Sequence, residues 1–334
     1  MSQFFSAYGL FLFEIATVLA IVLAIVVVLI GSAKRAGQAE GLSVRHLNKE
    51  FQDASNVLRR VLLNKQEFKR QSKEQAKTLK RRKRDKSKAV RPRVFVLDFK
   101  GDIRATATAS LSREVSAVLS VAADTDRVLL RLENAGGLVH EHGLAASQLL
   151  RIKRHGIPLS IAVDKVAASG GYLMACVADR IIAAPFAIVG SIGVIAQLPN
   201  FHRLLEQKGV DFEQITAGRY KRTLTVFGEN TEEGRNKLKE ELEDVHLIFK
   251  NQIAEHRPQV DLDGVATGEH WYGVRALELK LVDELKTSDD YLLEAAQTCD
   301  LYLVTYKRRR GFVERLLHGA EGMLSEHTGL HELP

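Results

Sequence analysis

Cysteine is scarce in this chain of 334 residues: there are two, Cys176 and Cys299, far apart and each inside an apolar segment. Two thiols do not set a redox compartment, and no grouping of side chains has metal-ligand spacing. Histidine is absent between His155 and His202. The four histidines around the middle of the chain, His140, His142, His155 and His202, stand in polar or loop-like surroundings with no orienting carboxylate motif. They read as surface residues, which removes the usual general base. Charge is absent from Ile15 to Ala33, where Ile, Val, Leu and Ala dominate. About twenty such residues cross a bilayer core as a helix. Only Glu14 stands directly ahead of the run, so an uncleaved anchor is expected rather than a cleaved signal peptide. Lys34, Arg35 and Arg45 follow, and the positive-inside rule would place the bulk of the chain on the cytoplasmic side.

The rest of the composition is that of a folded protein with a real core. Its basic excess is local. Lys69 to Arg93 holds thirteen basic residues against two acidic ones, a charge of +11, which leaves −4 for the remainder of a chain whose formal total is +7. No aromatic side chains are interleaved there for base stacking, which argues against nucleic acid as a partner. A solvated linker and a contact with anionic lipid headgroups remain, and the adjacent apolar run favours lipid. Just upstream, Leu47, Phe51, Ala54, Leu58, Leu62 and Phe68 recur mostly at three, four or seven residues, the stripe of an amphipathic helix.

From Val94 onward apolar strands and helices alternate. Val94–Phe99, Val128–Leu132, Ile157–Val163 and Ile181–Ala184 read as strands, with helices at Glu114–Leu119, Leu144–Ile152 and Leu173–Ala178 between them. Repeated β-α-β order implies an α/β fold with a mainly parallel sheet, whose active groups gather where strands end. Further on, Leu238, Leu242, Val245, Phe249 and Ile253 share one face of a long helix that Pro258 ends.

Two turns follow strand ends. Asn134-Ala135-Gly136-Gly137 is an ordinary loop or a place where N–H groups converge on an oxyanion. Asp164 to Tyr172, Asp-Lys-Val-Ala-Ala-Ser-Gly-Gly-Tyr, sets Ser169 on a glycine turn between apolar segments. Such a turn either lifts a nucleophilic hydroxyl out of the core or lets Ser169 cap a helix. A serine nucleophile needs a base within hydrogen-bond reach. With histidine excluded, a Ser-Lys pair is the alternative, and Gly218-Arg219-Tyr220-Lys221-Arg222 offers Lys221. Burial and like-charge repulsion from Arg219 and Arg222 would favour its neutral form; the competing reading is a solvated basic loop.

These stretches resemble the signal peptide peptidase A family of membrane-bound bacterial serine peptidases, and the N-terminal layout is similar to its SohB-type branch. The resemblance runs from about Val94 to Leu285. It implies a ClpP/crotonase-like fold, Ser169 as nucleophile, Lys221 as general base, and Ser191 of Val189-Gly190-Ser191-Ile192-Gly193 as the residue that holds the lysine. Ala266-Thr267-Gly268 through Trp271 and on to Leu281-Val282-Asp283-Glu284 resembles the family's structural closing motif. One departure is visible: where the family commonly has Ser-Pro-Gly-Gly, this chain has Asn134-Ala135-Gly136-Gly137. Loss of the proline removes a fixed φ from the turn.

The expectation is therefore acyl transfer, with the N–H groups of Gly137 and Gly170 on the oxyanion and no metal or organic cofactor. The resemblance further implies a homo-oligomer acting at the bacterial inner membrane, a peptide or protein substrate such as signal peptide remnants or damaged polypeptides, and a lipid bilayer as partner of the N-terminal helix. The family suggests the periplasmic side, against the charge rule above. The expected organisation is an anchor over 1–35, a basic amphipathic segment over 36–92, a peptidase domain over 93–290 and a C-terminal helix or tail over 291–334. A non-catalytic membrane scaffold and a crotonase-like acyl-coenzyme A enzyme are the competing classes.

Overall fold

The computed structural model describes residues 41–84 and 91–307, together with Thr17 and Leu19. The apolar run from Ile15 and the region from Arg308 therefore lie outside the described residues, except for those two positions. Among the described residues no helix is long and apolar enough to cross a membrane. Nearly all of the described residues belong to one compact unit, Ser43–Thr305.

The chain enters through β1 (Gly41–His46), α1 (Leu47–Leu62) and α2 (Lys65–Arg84). The single amphipathic helix expected over 47–68 is thus two: Asn64 breaks it, and its side-chain oxygen accepts the Gln66 and Glu67 N–H groups to start the second. Next come β2 (Arg93–Lys100), α3 (Thr108–Leu119), β3 (Arg127–Glu133), α4 (Val139–Arg154), β4 (Leu159–Val163), β5 (Val166–Ala168), α5 (Gly170–Ala175), β6 (Arg180–Ala183) and β7 (Ile188–Gly190). The remainder is α6 (His202–Gln207), α7 (Glu232–His256), α8 (Leu262–Val265), β8 (His270–Tyr272), α9 (Gly273–Glu278), β9 (Glu284–Leu285), α10 (Ser288–Thr298) and β10 (Asp300–Lys307).

Seven strands form one sheet in the order β1-β10-β2-β3-β4-β6-β9, and the pairings from β10 to β9 are parallel. Continuous apolar runs suit strands buried on both faces, and period-two alternation sorts them. Phe95, Leu97, Phe99, Val128, Leu130 and Ile161 turn to one side, under α3, α4, α5 and α7. Val94, Val96, Leu129, Ala162 and Ile182 turn to the other, where Leu47 and Phe51 of α1 and Leu292 of α10 cover them. Each buried Val, Leu, Ile or Phe among them contributes about 1.5–3 kcal/mol relative to exposure. The sequence boundary at 290 falls within α10, and β10 beyond it pairs with β2 from Asp300↔Arg93 to Leu303↔Val96.

A second sheet, not foreseen from the sequence, has the order β5-β7-β8. Its strands are three residues each, too short for periodicity to register. It is joined to the large sheet by a parallel bridge between Asn134 and Ala167. The strand that feeds Ser169 is therefore β5 of this small sheet, and not the Ile157–Val163 run.

Candidate active site

Ser169 follows β5 and precedes α5, with φ 52° and ψ −118°. A non-glycine residue in that region is strained, and such strain collects at functional turns. Its N–H donates to the Gly190 carbonyl at 2.8 Å, continuing the β5–β7 register past Ala168↔Gly190. Its side chain makes no capping hydrogen bond to the helix. The helix-cap alternative thus fails, and the hydroxyl is left at the rim of a cavity of about 380 Å³.

Glycines close around this turn because nothing larger fits. A Cβ on Gly136 would lie 2.7 Å from the Ser169 Cβ, and one on Gly171 would lie 2.1 Å from the Asn134 carbonyl oxygen. Gly137, Gly170 and Gly193 line the same cavity as Ser169. The Asn134–Gly137 loop compensates for its missing proline: the Asn134 side-chain oxygen accepts the Gly136 N–H at 2.9 Å, an Asx turn that restrains the loop from within.

Ser191, at φ 50°, is the second strained serine. It directly follows Gly190, and its N–H donates to the Glu269 carbonyl at 2.7 Å. Its hydroxyl lies 3.5 Å from the Gly268 carbonyl, at the edge of hydrogen-bonding distance. The closing motif thus braces this strand: β8 pairs antiparallel with β7, and the Trp271 ring packs on Gly190, where a Cβ would meet it at 2.7 Å.

Lys221 is not brought to this group. It is exposed, in an irregular stretch, its N–H donating to the Gly218 carbonyl at 3.2 Å. It does not line the Ser169 cavity. Its neighbour Arg219 pairs with Glu233 at 2.7 Å, which holds the guanidinium above its ordinary value through that hydrogen bond. The structure therefore gathers Ser169, Gly137, Gly170 and Ser191, and leaves Lys221 apart.

One histidine reading is corrected: His142 is fully buried against the Ser169 turn. A signal for this burial was present: His142, Ala145, Ala146, Leu149 and Ile152 are the buried positions of α4, spaced three and four apart. His140 is at the surface, as expected, and lines the cavity. The His140 side chain is 78% exposed and its nearest carboxylate, Glu141, lies 3.9 Å away. Apolar cavity walls come from Val139, Ala146 and Leu150 of α4, Leu173 of α5, and Val245, Ile248 and Phe249 of α7. Cys176 is fully buried at the C-terminal end of α5, where burial pushes its thiol up to about 12, so it is no competing nucleophile. Among the described residues no cluster of three or more His, Cys, Asp or Glu could hold a metal ion.

Two family models match the chain, Peptidase family S49 over residues 151–302 and Peptidase family S49 N-terminal over residues 3–149. A probable protease SohB of Haemophilus influenzae is 45% identical across 96% of this chain and 94% of that protein. The chain belongs to peptidase family S49. It is a SohB-type serine peptidase. A probable protease SohB of Buchnera aphidicola subsp. Acyrthosiphon pisum is 53% identical over 70% of each chain. Among solved structures, a mutant of the 1510-N membrane-bound stomatin-specific protease matches with a TM-score of 0.42 and 15% identity over 62% of this chain and 85% of that one, too distant to carry an argument.

Proposed function

We propose that this S49 peptidase cleaves peptide bonds with a Ser169–Lys221 dyad. The observation that carries the reading is Ser169 itself: a strained serine, uncapped, at the mouth of a mostly apolar cavity rimmed by Gly137 and Gly170. Neutral Lys221 takes the Ser169 proton, Oγ attacks the peptide carbonyl, and the N–H groups of Gly137 and Gly170 receive the oxyanion. The ammonium returns its proton to the leaving amine, and water hydrolyses the acyl-enzyme. Ser191 holds Lys221 in line. The apolar walls suit an apolar substrate side chain beside the scissile bond, as in signal peptide remnants or damaged polypeptides. No metal or organic cofactor takes part.

Assembly is part of the same reading. Ile195, Phe212, Ile215, Tyr220 and Phe227 are exposed along the stretch that carries Lys221, and apolar patches of this kind are interaction surfaces. Packing between copies orders the stretch and closes the dyad. The Ile15–Ala33 run anchors the chain in the bacterial inner membrane, and the basic helix α2 lies near lipid headgroups.

The test is active-site labelling of the full chain with a fluorophosphonate across pH. Wild type should label at a rate that rises through one ionisation, and neither Ser169→Ala nor Lys221→Ala should label. Labelling of Ser169→Ala at the wild-type rate would sink the nucleophile assignment and move the scaffold reading ahead. Retention of the intact wild type on a coenzyme A resin would favour the acyl-coenzyme A enzyme.

A further inference from the structure

Asn134 and His142 form a buried polar pair behind the nucleophile turn, 1% and 0% exposed. Neither has a part in the dyad. Asn134 ends the run of β3, where its N–H donates to the Val166 carbonyl at 2.9 Å and its own carbonyl accepts the Ala168 N–H at 3.0 Å. Its main chain is thereby tied to β5, the strand that delivers Ser169. Its side-chain oxygen accepts the Gly136 N–H at 2.9 Å and lies 3.2 Å from His142 Nε2. The amide nitrogen faces the Met174 sulfur at 3.3 Å.

The other imidazole nitrogen, Nδ1, lies 2.9 Å from the Leu138 carbonyl; both facing oxygens are acceptors, so a neutral ring donates to one of them, and the Nε2–H tautomer puts its proton on the Asn134 side. The flank of the ring is packed on Gly170 so closely that a Cβ there would come within 2.5 Å of His142 Cγ. A ring so placed has no free nitrogen to offer Ser169. It does touch both walls of the oxyanion site, Gly170 directly and the Gly136–Gly137 turn through Asn134. Burying two polar side chains costs several kcal/mol unless their hydrogen bonds are made, and here the bonds made are those that hold the turn.

We propose that His142 is a positioning residue for the oxyanion site: by donating from Nε2 to the Asn134 side-chain oxygen, it holds that oxygen on the Gly136 N–H and so keeps the next N–H, that of Gly137, aimed into the cavity. This rests on the reading of Gly137 as an oxyanion donor. Asn134 is the link through which His142 acts. The pair supplies the stiffness that a proline would give the turn and also ties it to the nucleophile strand, which a proline would not.

The experiment uses the full chain and a fluorogenic peptide that the wild type cleaves, with kcat, KM, melting temperature and the Ki of a peptide boronate, whose tetrahedral adduct presents an oxyanion. His142→Leu should lower kcat about 30–300-fold and raise the boronate Ki by a similar factor, because a misplaced donor approaches the loss of one. KM and melting temperature should stay close to wild type. His142→Gln, which keeps a donor towards Asn134, should recover kcat to within about fivefold of wild type. The proposal is overturned if folded His142→Leu keeps kcat within about threefold of wild type, or if His142→Gln is no better than His142→Leu. Should His142→Leu fail to fold, Asn134→Ala, which removes the acceptor and leaves the ring in place, takes its place with the same limits on kcat and Ki, and Asn134→Asp serves as its rescue. Ser169→Ala separates the two levels. If it still cleaves, the dyad reading fails; if it is dead while His142→Leu has wild-type kcat, only the positioning role fails.

Discussion

Two parts of the molecule that the proposed chemistry needs together are built in opposite ways. Around Ser169 the chain is close-packed: β5, β7 and the Asn134 loop converge, and added Cβ atoms would strike backbone at Gly136 and Gly171. From Ile195 to Phe227, around Lys221, the only regular element is the short helix α6, and large apolar side chains face outward, Ile215 with 94% of its surface exposed. Folding of one chain is enough to build the proposed nucleophile and the glycine loops around it. The proposed base is left on a stretch whose burial has to come from elsewhere. Under the proposed dyad, reactivity is gated by whatever covers that stretch.

The contrast can be broken most directly at Ile215. Replacing it with Asp should split the proposed oligomer in analytical ultracentrifugation and lower peptide hydrolysis by a factor of about ten or more, on the order of one hot-spot residue. The melting transition of the single chain should not move. If hydrolysis per chain is instead independent of dilution and of Ile215→Asp, one chain completes its own site.

Gly171→Ala probes the packed side. Its methyl would sit against the Asn134 carbonyl, so stability should fall by about 1–3 kcal/mol in urea titration, together with activity. A neutral outcome would mean that the turn yields more easily than its contacts imply.

A smaller effect is expected from acid. Burial alone would raise the Asp126 carboxyl, but the Arg93 guanidinium and the Ala123 and Arg93 N–H groups outweigh it and hold it below the usual carboxylate range. A lowered folded value means that its contribution is present above the unfolded value of about 3.9 and lost as pH falls through the folded one. Asp126→Asn should therefore flatten the acid side of the stability curve below about pH 4 and leave activity unchanged. The smallest effect belongs to His140→Gln. Exposed at the cavity rim, His140 should change kcat by less than about threefold. A larger loss would make it a rival to Lys221 as the base.

Much of this architecture is legible in the chain, and the reasons differ from element to element. The strands at 94–99, 128–132 and 181–184 can be read because buried parallel strands are continuous apolar runs, and α7 because its stripe is long and ends ahead of Pro258. The β5-β7-β8 sheet cannot, since three-residue strands leave no period to detect. Ser169 stands out by its glycine turn, but its strain and its uncapped hydroxyl are tertiary facts. His142 looks like a surface residue from Glu141 and Gly143 beside it, although its spacing to Ala145, Leu149 and Ile152 puts it on the inner face of α4. Ahead of the basic region, α1 splits its apolar residues: Leu47 and Phe51 turn to the core, while Val57, Leu58, Val61 and Leu62 stay exposed. A stripe in the sequence does not say where along its length the protein stops covering it.

The sequence contains one tryptophan, and it is the ring that lies on Gly190 beside the two strained serines. Its emission is therefore an unlabelled optical signal from the small sheet alone. Quenching or spectral shifts on adding peptide would report events at the reactive turn, while the rest of the chain stays dark at the red edge of excitation.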